Sequence, residues 1–324
     1  MAQFTKESQG RDWFVKFASQ GALGVEGDGT TKGVPVLLAN LLPVGQATRR
    51  VAPEFDPNYT KFVGVGAGEV PFTGLKGGIQ VERVKIDVGL ITLPTAVVAT
   101  PRHFIFDNAL RAAGILKWLT VGLGSTAAIV DYRIQDCKVN SASLSFTTGE
   151  FVSGSLELLG GKITEGAAGA AAANLTNKSP FAVYEAVWSA GATGLGLLAG
   201  MDLTINNNLE AISYVGTTAQ VDARGEAAAG DNMRQWDELR EAAPQYSGTL
   251  RSYANPTIFA QSNTDTAYTC SIVLTSVTTV MTWTISLTNL RMMSSPVDVG
   301  EGSEGVIYAV PFECTAVAFS YTYT

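Results

Sequence analysis

Alternation of apolar and hydroxyl-bearing residues is the dominant pattern along this chain. Over 141–146, Ala142, Leu144 and Phe146 fall on one side of an extended segment while Ser141, Ser143 and Ser145 fall on the other. Trp283, Ile285 and Leu287 oppose Thr282, Thr284 and Ser286 in the same way, and Val306, Tyr308, Val310 and Phe312 form a further stripe. A period of two predicts strands with one buried face and one hydroxyl-rich face. Many such strands with few helices predict a mainly β fold, an antiparallel sandwich or a half-barrel.

The strands fall into two sets in the same order. In the first, a strand over 77–89 precedes an apolar helix over 107–122 and strands over 127–134, 138–146 and 150–161. In the second, a strand over 247–253 precedes a short helical or turn segment over 255–262 and strands over 268–275, 279–292 and 305–317. Between the sets, residues 166–180 are Ala-rich and nearly devoid of large apolar side chains, which reads as a linker or a short exposed helix. The chain therefore divides into domains over 1–165 and 181–324, related by duplication, each with a flanking helix and a long loop.

Those loops run over 21–77 and 217–247. The second holds a predicted helix over 231–243, with Asp231 as N-cap, Met233, Trp236 and Arg240 on one stripe, and Pro244 as its stop. Loops this long inside compact domains are functional or disordered. Both carry large apolar residues, Val36, Leu37, Leu38, Leu41 and Leu42 in one and Trp236 and Leu239 in the other, which predicts ordering against a neighbouring copy. Leu37, Leu41, Met233, Trp236 and Leu239 are the candidate contacts between subunits or between rings.

With 324 residues the chain is long enough for two domains. Its 22 basic against 29 acidic residues, net charge −7, argue against gripping nucleic acid by phosphate neutralisation. Only 16% of residues are charged, so the exposed strand faces carry small hydroxyls, as surfaces that pack on other subunits do. Cys137, Cys270 and Cys314 lack metal-ligand spacing and are odd in number, which predicts reduced, buried thiols. No apolar segment is preceded by the basic residues of a secretory leader, and none has the length of a membrane span, so a soluble protein made in the cytoplasm is expected.

Catalytic constellations are missing. The single histidine, His103, has no Cys or carboxylate cluster near it in sequence, which disfavours Ser-His-Asp and Cys-His chemistry. The glycine-rich run after Gly24 has Thr30 where a phosphate loop needs Lys, and 64–70 lacks the third glycine of a dinucleotide fold. The acidic run 300–305 fits a hairpin turn better than a calcium loop, and the pattern at Asn174 has no secretory signal to make it a glycan acceptor. Trp13, Trp118, Trp188, Trp236 and Trp283 are scattered on apolar faces and read as packing residues, not a carbohydrate platform. No cofactor or metal is expected.

Four blocks taken together carry a family likeness. The block 137–164, the Asn-rich turn in 201–216, the Ser-Gly-Thr-Leu strand at 247–250 and the Pro-Phe-Glu strand at 311–313 resemble, in that order, the tail tube proteins of long-tailed bacteriophages. The resemblance implies a structural virion protein made in the host cytoplasm, with two-sheet β units whose sheets join across subunits into an inner barrel. It implies stacking of rings into a tube, contact with other tail proteins, and passage of genomic DNA through the lumen without specific binding. If each half is one tube unit, a ring with six unit positions needs three chains, giving trimeric rings with pseudo-sixfold symmetry; true hexamers are the alternative. A capsid-decorating or adhesin-like β-sandwich that binds a surface ligand is the competing reading, and a hydrolase with a carboxylate-only site a weaker one.

Overall fold

The computed structural model describes residues 13–20, 34–43, 46–47, 79–80, 84–91, 103–125, 132–165, 181–190, 193–194, 198–212, 238–253, 266–276, 281–293, 297–298 and 307–323. Among them the protein is built almost wholly of antiparallel strands, with two short 3-10 helices at His103–Ala109 and Val183–Glu185 and no α-helix. One connected sheet dominates, and two small hairpins flank it.

The strands of the N-terminal part are β1 (Trp13–Ser19), β2 (Val34–Pro43), β3 (Gln46–Ala47), β4 (Ile79–Gln80), β5 (Val84–Ile91), β6 (Leu119–Ser125), β7 (Tyr132–Thr147), β8 (Ser153–Gly160) and β9 (Lys162–Glu165). The first half of β7 pairs β6 and β9, and its second half pairs β8. Continuing through β5, β2, β1 and β6, the ladder returns to β7, so these strands close into a small barrel. The change of neighbours along β7 occurs near Asp136, whose φ of 55° bends the strand. An Asp tolerates that left-handed conformation better than most residues, and Gln20 clamps it: its Nε2 donates to Asp136 Oδ1 at 3.1 Å while Asp136 N donates to Gln20 Oε1 at 3.0 Å.

The C-terminal part comprises β10 (Ala186–Ala190), β11 (Thr193–Gly194), β12 (Leu198–Asn206), β13 (Leu209–Ile212), β14 (Glu238–Glu241), β15 (Gln245–Tyr253), β16 (Tyr268–Thr275), β17 (Met281–Met292), β18 (Val297–Asp298), β19 (Ile307–Cys314) and β20 (Ala316–Tyr323). Most of its ladder repeats that of the first part in matching register, although the β1–β2 pairing has no counterpart among the described residues. β17, like β7, pairs two strands with its first half, β16 and β20, and then β19. The bend falls at Asn289, φ 52°, where Asp136 stands in β7. The irregular step Leu119↔Cys137 to Val121↔Ile134 has its counterpart in Tyr268↔Leu290 to Cys270↔Leu287. The bulge between Val36 and Leu38 opposite β5 reappears between Leu198 and Gly200 opposite β15. β5 against β8 runs Val84↔Gly160 to Ile91↔Ser153, and β15 against β19 runs Tyr246↔Cys314 to Tyr253↔Ile307.

Between the strand walls lies one continuous core. Ala142, Leu144, Phe146, Leu156, Leu158, Met201, Leu203, Ile205, Val310 and Phe312 face it from one layer, and Val121, Ile134, Ile272, Leu274, Trp283 and Ile285 from the other. All are essentially shielded from water, and burial of that many apolar side chains at ~1.5–3 kcal/mol each is the main stabilising term. The cores of the two parts touch: Phe146 meets the edge of Trp188 at 5.5 Å.

The structure corrects several expected elements. The helix over 107–122 is absent: after the 3-10 turn the chain reverses through Ala113 (φ 52°) and Gly114 (φ 84°) and enters β6. Leu119, Val121 and Leu123 fill the core by alternation, and two flanking ladders outweigh helical propensity there. The proper counterpart of β16 is therefore β6, not the segment 127–134. The expected strands over 127–134 and 138–146 are one strand, β7, from Tyr132 onward. The end of the helix over 231–243 is strand β14, paired with β13, while Asp231, Met233 and Trp236 lie outside the described residues. Leu239 and Glu241 alternate inward and Arg240 points out, a strand pattern hidden inside a helical one. The loop over 21–77 was expected to be irregular but contains β2, whose apolar run, interrupted only by Asn40, shows no alternation to mark it. The strand over 305–317 is broken at Thr315. The linker 166–180, the segment 255–262 and the turn 300–305 lie outside the described residues.

Candidate assembly surface

Eight strands line up side by side as a single wall: β2, β5, β8, the second half of β7, β12, β15, β19 and β18. The middle seam, between β7 and β12, joins the two parts of the chain through Ser141↔Asn206 to Thr147↔Gly200. Alternation gives this wall one face toward the core and one away from it.

The outward face carries Ser141, Ser143 and Ser145 from β7, Ser155 and Glu157 from β8, Lys85 and Asp87 from β5, Asp202 and Thr204 from β12, Thr249 and Arg251 from β15, and Glu313 from β19. Its polar groups satisfy one another across strands. Ser143 and Ser155 hydroxyls meet at 2.8 Å, Ser145 Oγ donates to Asp202 Oδ1 at 2.9 Å across the seam, and Arg251 pairs with Asp202. Lys85 Nζ lies 2.7 Å from Glu157, which also accepts from Asn140 Nδ2 at 2.6 Å. These bonds hold the Glu157 carboxyl below the usual range against the opposing effect of burial, and the Glu157 hydrogen bond is the largest influence raising Lys85. Among the described residues, the carboxylates Asp87, Glu157, Asp202 and Glu313 stand on this face with the cations Lys85 and Arg251, and Arg291 lies opposite Glu313 where β17 meets β19, leaving carboxylates in excess by one.

The β12–β15–β19 ladder beside the seam needs close backbone approach. At Gly248 a Cβ would collide with the Asp202 carbonyl and the Phe312 ring, so the ring lies over bare backbone there. The Asn-rich turn ends the seam. Asn206 Oδ1 accepts from Asn208 N at 3.0 Å, Asn208 takes φ 49°, and the fully buried Asn207 donates through Nδ2 to the carbonyls of Ala109 and Val139 at 2.9 and 3.1 Å. Asparagine serves all three positions because its short amide both tolerates the left-handed region and mimics backbone.

Behind the turn, the β13–β14 hairpin is fastened to the first part by a buried ion cluster. Glu241 sits 2.7 Å from Lys138 Nζ and 3.7 Å from Arg111 Nε, and accepts from Leu116 N at 3.0 Å. Lys138 also lies 4.0 Å above the Trp118 ring. Sequence reasoning missed this cluster, since its members are scattered from Arg111 to Glu241; the only signal was a lysine on the apolar side of a strand.

Of the residues singled out from sequence, Leu37 stands at the β2 bulge and Leu41 is opposite Ile86 in the ladder. Leu239 is 4% exposed within the single chain. Cys137, Cys270 and Cys314 are all buried and free, and burial raises their thiols, Cys270 to about 12, Cys314 to about 11 and Cys137 well above its ordinary value. His103 opens the first 3-10 helix. Among the described residues no group of His, Cys, Asp or Glu is placed to hold a metal, and no helix is long and apolar enough to cross a membrane.

No curated protein matches this chain. Among solved structures, the cap of an anti-feeding prophage, described as a tube-terminating cap, is similar at 16% identity and a TM-score of 0.30, over 51% of this chain and 94% of that one. The phage tail tube protein family matches residues 15–316, from within β1 to the first residue of β20. A match over nearly the whole chain, on a wall of antiparallel strands, establishes that this chain belongs to the phage tail tube proteins, a family of virion structural components.

Proposed function

We propose that this chain is the repeating subunit of a phage tail tube, and that it carries two tube units in tandem, so that three chains form one pseudo-sixfold ring. The observation that carries the reading is the repetition of the ladder, with its bulges and left-handed bends, in the two parts of one chain. Each part offers the wall four strands, and the seam between β7 and β12 supplies, within the chain, the kind of junction a ring needs between chains. Closing the ring removes the free edges that otherwise invite uncontrolled pairing.

The outward face of the wall lines the lumen in this reading. DNA carries about one negative charge per 1.7 Å of its axis, so a basic lumen would hold it through many simultaneous contacts. A face of serines and threonines with carboxylates in excess supports free passage instead. Contacts between successive rings are assigned to the long segments before β5 and β15, with Leu37, Met233 and Trp236 as apolar anchors; Leu239, already buried in the chain, needs no partner.

A reconstruction of the assembled particle tests this. Stacked rings with three chains each are expected. Six chains per ring would overturn the tandem arrangement, and purified protein that forms neither rings nor tubes would overturn the tube itself.

A further inference from the structure

We propose that neighbouring chains join through β18 of one copy and β2 of the next, in the register Asp298 opposite Asn40 and Val297 opposite Leu41. The inference rests on the tube reading above and fixes which edges meet and how.

The internal seam supplies the template. There β12 pairs β7 with Asp202 opposite Ser145 and Leu203 opposite Leu144. The repeated ladder identifies the equivalents of these strands. β12 pairs β15 as β2 pairs β5: Leu198↔Ser252 and Gly200↔Arg251 across one bulge match Val36↔Leu90 and Leu38↔Gly89 across the other. Asp202↔Thr249 then matches Asn40↔Asp87, and Leu203↔Gly248 matches Leu41↔Ile86. On the other side, β18 pairs β19 through Val297↔Tyr308 and Asp298↔Ile307, as β7 pairs β8 through Leu144↔Gly154 and Ser145↔Ser153. So Asn40 and Leu41 stand where Asp202 and Leu203 do, and Asp298 and Val297 stand where Ser145 and Leu144 do.

Both equivalents lack the partner that their counterparts have. β12 is paired along both edges, whereas β2 pairs β5 along one edge and only Val34 and Pro35 pair β1 along the other. Among the described residues, Leu38–Pro43 has no ladder partner on that second edge, and β18 has none beyond β19. A strand edge left open in this way is a template for another chain. The two edges differ and lie at opposite ends of the eight-strand wall, so joining them is head-to-tail and propagates until a ring closes.

Residue chemistry agrees with the register. At the internal seam a hydroxyl donor, Ser145, faces a carboxylate, Asp202. In the proposed junction an amide donor, Asn40, faces a carboxylate, Asp298, with the roles exchanged between the two strands. One position along, Leu41 faces Val297 where Leu203 faces Leu144, apolar against apolar. Pro43 ends β2 and Pro296 precedes β18, and proline at an edge limits promiscuous pairing without blocking the rest of the strand.

Cysteine pairs test the register in assembled particles. Opposed residues of an antiparallel ladder alternate between two spacings, so adjacent pairs are both made: Asn40→Cys with Asp298→Cys, and Leu41→Cys with Val297→Cys. The native cysteines are buried and stay silent. Oxidation of at least one double variant is expected to convert monomer into covalent dimers and closed trimers, while each single variant stays monomeric. The pairs Ser145→Cys with Asp202→Cys and Leu144→Cys with Leu203→Cys serve as controls, closing within one chain without changing its mass. Hydrogen exchange on unmodified protein gives a second measurement: those amides of 38–42 and 297–298 that point to the open edges should gain at least about tenfold protection on assembly. Rings or tubes without either crosslink while a control pair closes, or without that protection, would overturn the junction and leave the tube standing. Absence of rings and tubes in the unmodified protein would overturn both.

Discussion

Asp107 is the carboxylate whose ionisation the fold resists most clearly, and replacing it with Asn gives a test with a definite sign. It lies in the first 3-10 helix and its Oδ1 accepts a hydrogen bond from Tyr321 Oη at 2.7 Å, tying the N-terminal part of the chain to β20. Burial pushes its pKa from 3.8 up to about 7, against smaller lowering influences from the Tyr321 hydroxyl and from Lys117. A carboxyl raised on folding is bound more tightly to its proton in the folded state. Its stabilising contribution is therefore fully present below pH 3.8 and is lost as pH rises through about 7. Each unit is ~1.4 kcal/mol, so between pH 5 and pH 8 this group alone removes up to about 3 kcal/mol. Because water still reaches part of the side chain, the observed loss will be smaller. Asp107→Asn keeps an acceptor for Tyr321 and cannot ionise. Urea unfolding at a series of pH values should show the variant close to the parent at pH 5 and more stable by ~1–3 kcal/mol at pH 8. Parallel stability profiles for the two proteins across that range would refute the reasoning.

Four further outcomes follow from the same geometry. Glu241→Ala leaves Lys138 buried without its 2.7 Å partner, so it should cost about 3 kcal/mol or more in urea unfolding. Replacing both Lys138 and Glu241 with apolar residues should recover much of that loss. Gly248→Ala drives a methyl into the Asp202 carbonyl and the Phe312 ring and should cost about 2 kcal/mol or more; an unchanged denaturation midpoint would show that the β12–β15–β19 ladder has slack. Native protein should not react with a thiol reagent at neutral pH, whereas all three cysteines should react after denaturation, since each is buried with a raised pKa. Ser143→Lys with Ser155→Lys places cations on the outward face, and tubes of this variant should retain DNA at low salt and release it as salt rises. Equal DNA retention by parent and variant tubes would remove that face from the lumen.

What the sequence disclosed depended on how each strand meets water. Strands with one wet face announced themselves: the serines at 141, 143 and 145 and the threonines at 282 and 284 alternate with core residues, and β7 and β17 lie where that pattern stands. β6 did not, because it is paired on both edges and buried along its length. In Leu119–Gly124 the alternation is carried by one polar residue, Thr120, and by glycines at 122 and 124 where other strands carry hydroxyls. β14 was hidden for a different reason: Leu239 and Glu241 both turn inward, and a carboxylate reads as surface unless its partners, Lys138 and Arg111, are known to await it. The buried ion cluster and the clamp of Gln20 on Asp136 belong to the same class. Each joins residues about a hundred positions apart that carry no local periodicity.

The two parts of the chain share geometry far more than residues, and the positions at which they agree explain why. Core positions differ in residue and size, with Cys137 standing where Leu290 does, since a core tolerates such changes when neighbouring side chains repack to keep the total volume and the apolar pattern. The bend in the long strand is less free. It needs a residue that tolerates positive φ, and it carries Asp136 in one part and Asn289 in the other. The break that follows β8 and β19 is kept by a backbone bond, Gly161 N to Gln135 O in the first part and Thr315 N to Thr288 O in the second, both at 3.0 Å. These are the places where β7 and β17 pass from one layer to the other, so an error there would shift the register of every strand beyond it. A shifted register would misalign the edges of the eight-strand wall, and a ring closes only when those edges meet in step. Constraint therefore falls on the bends and bulges, while the core and the outward face are free to diverge.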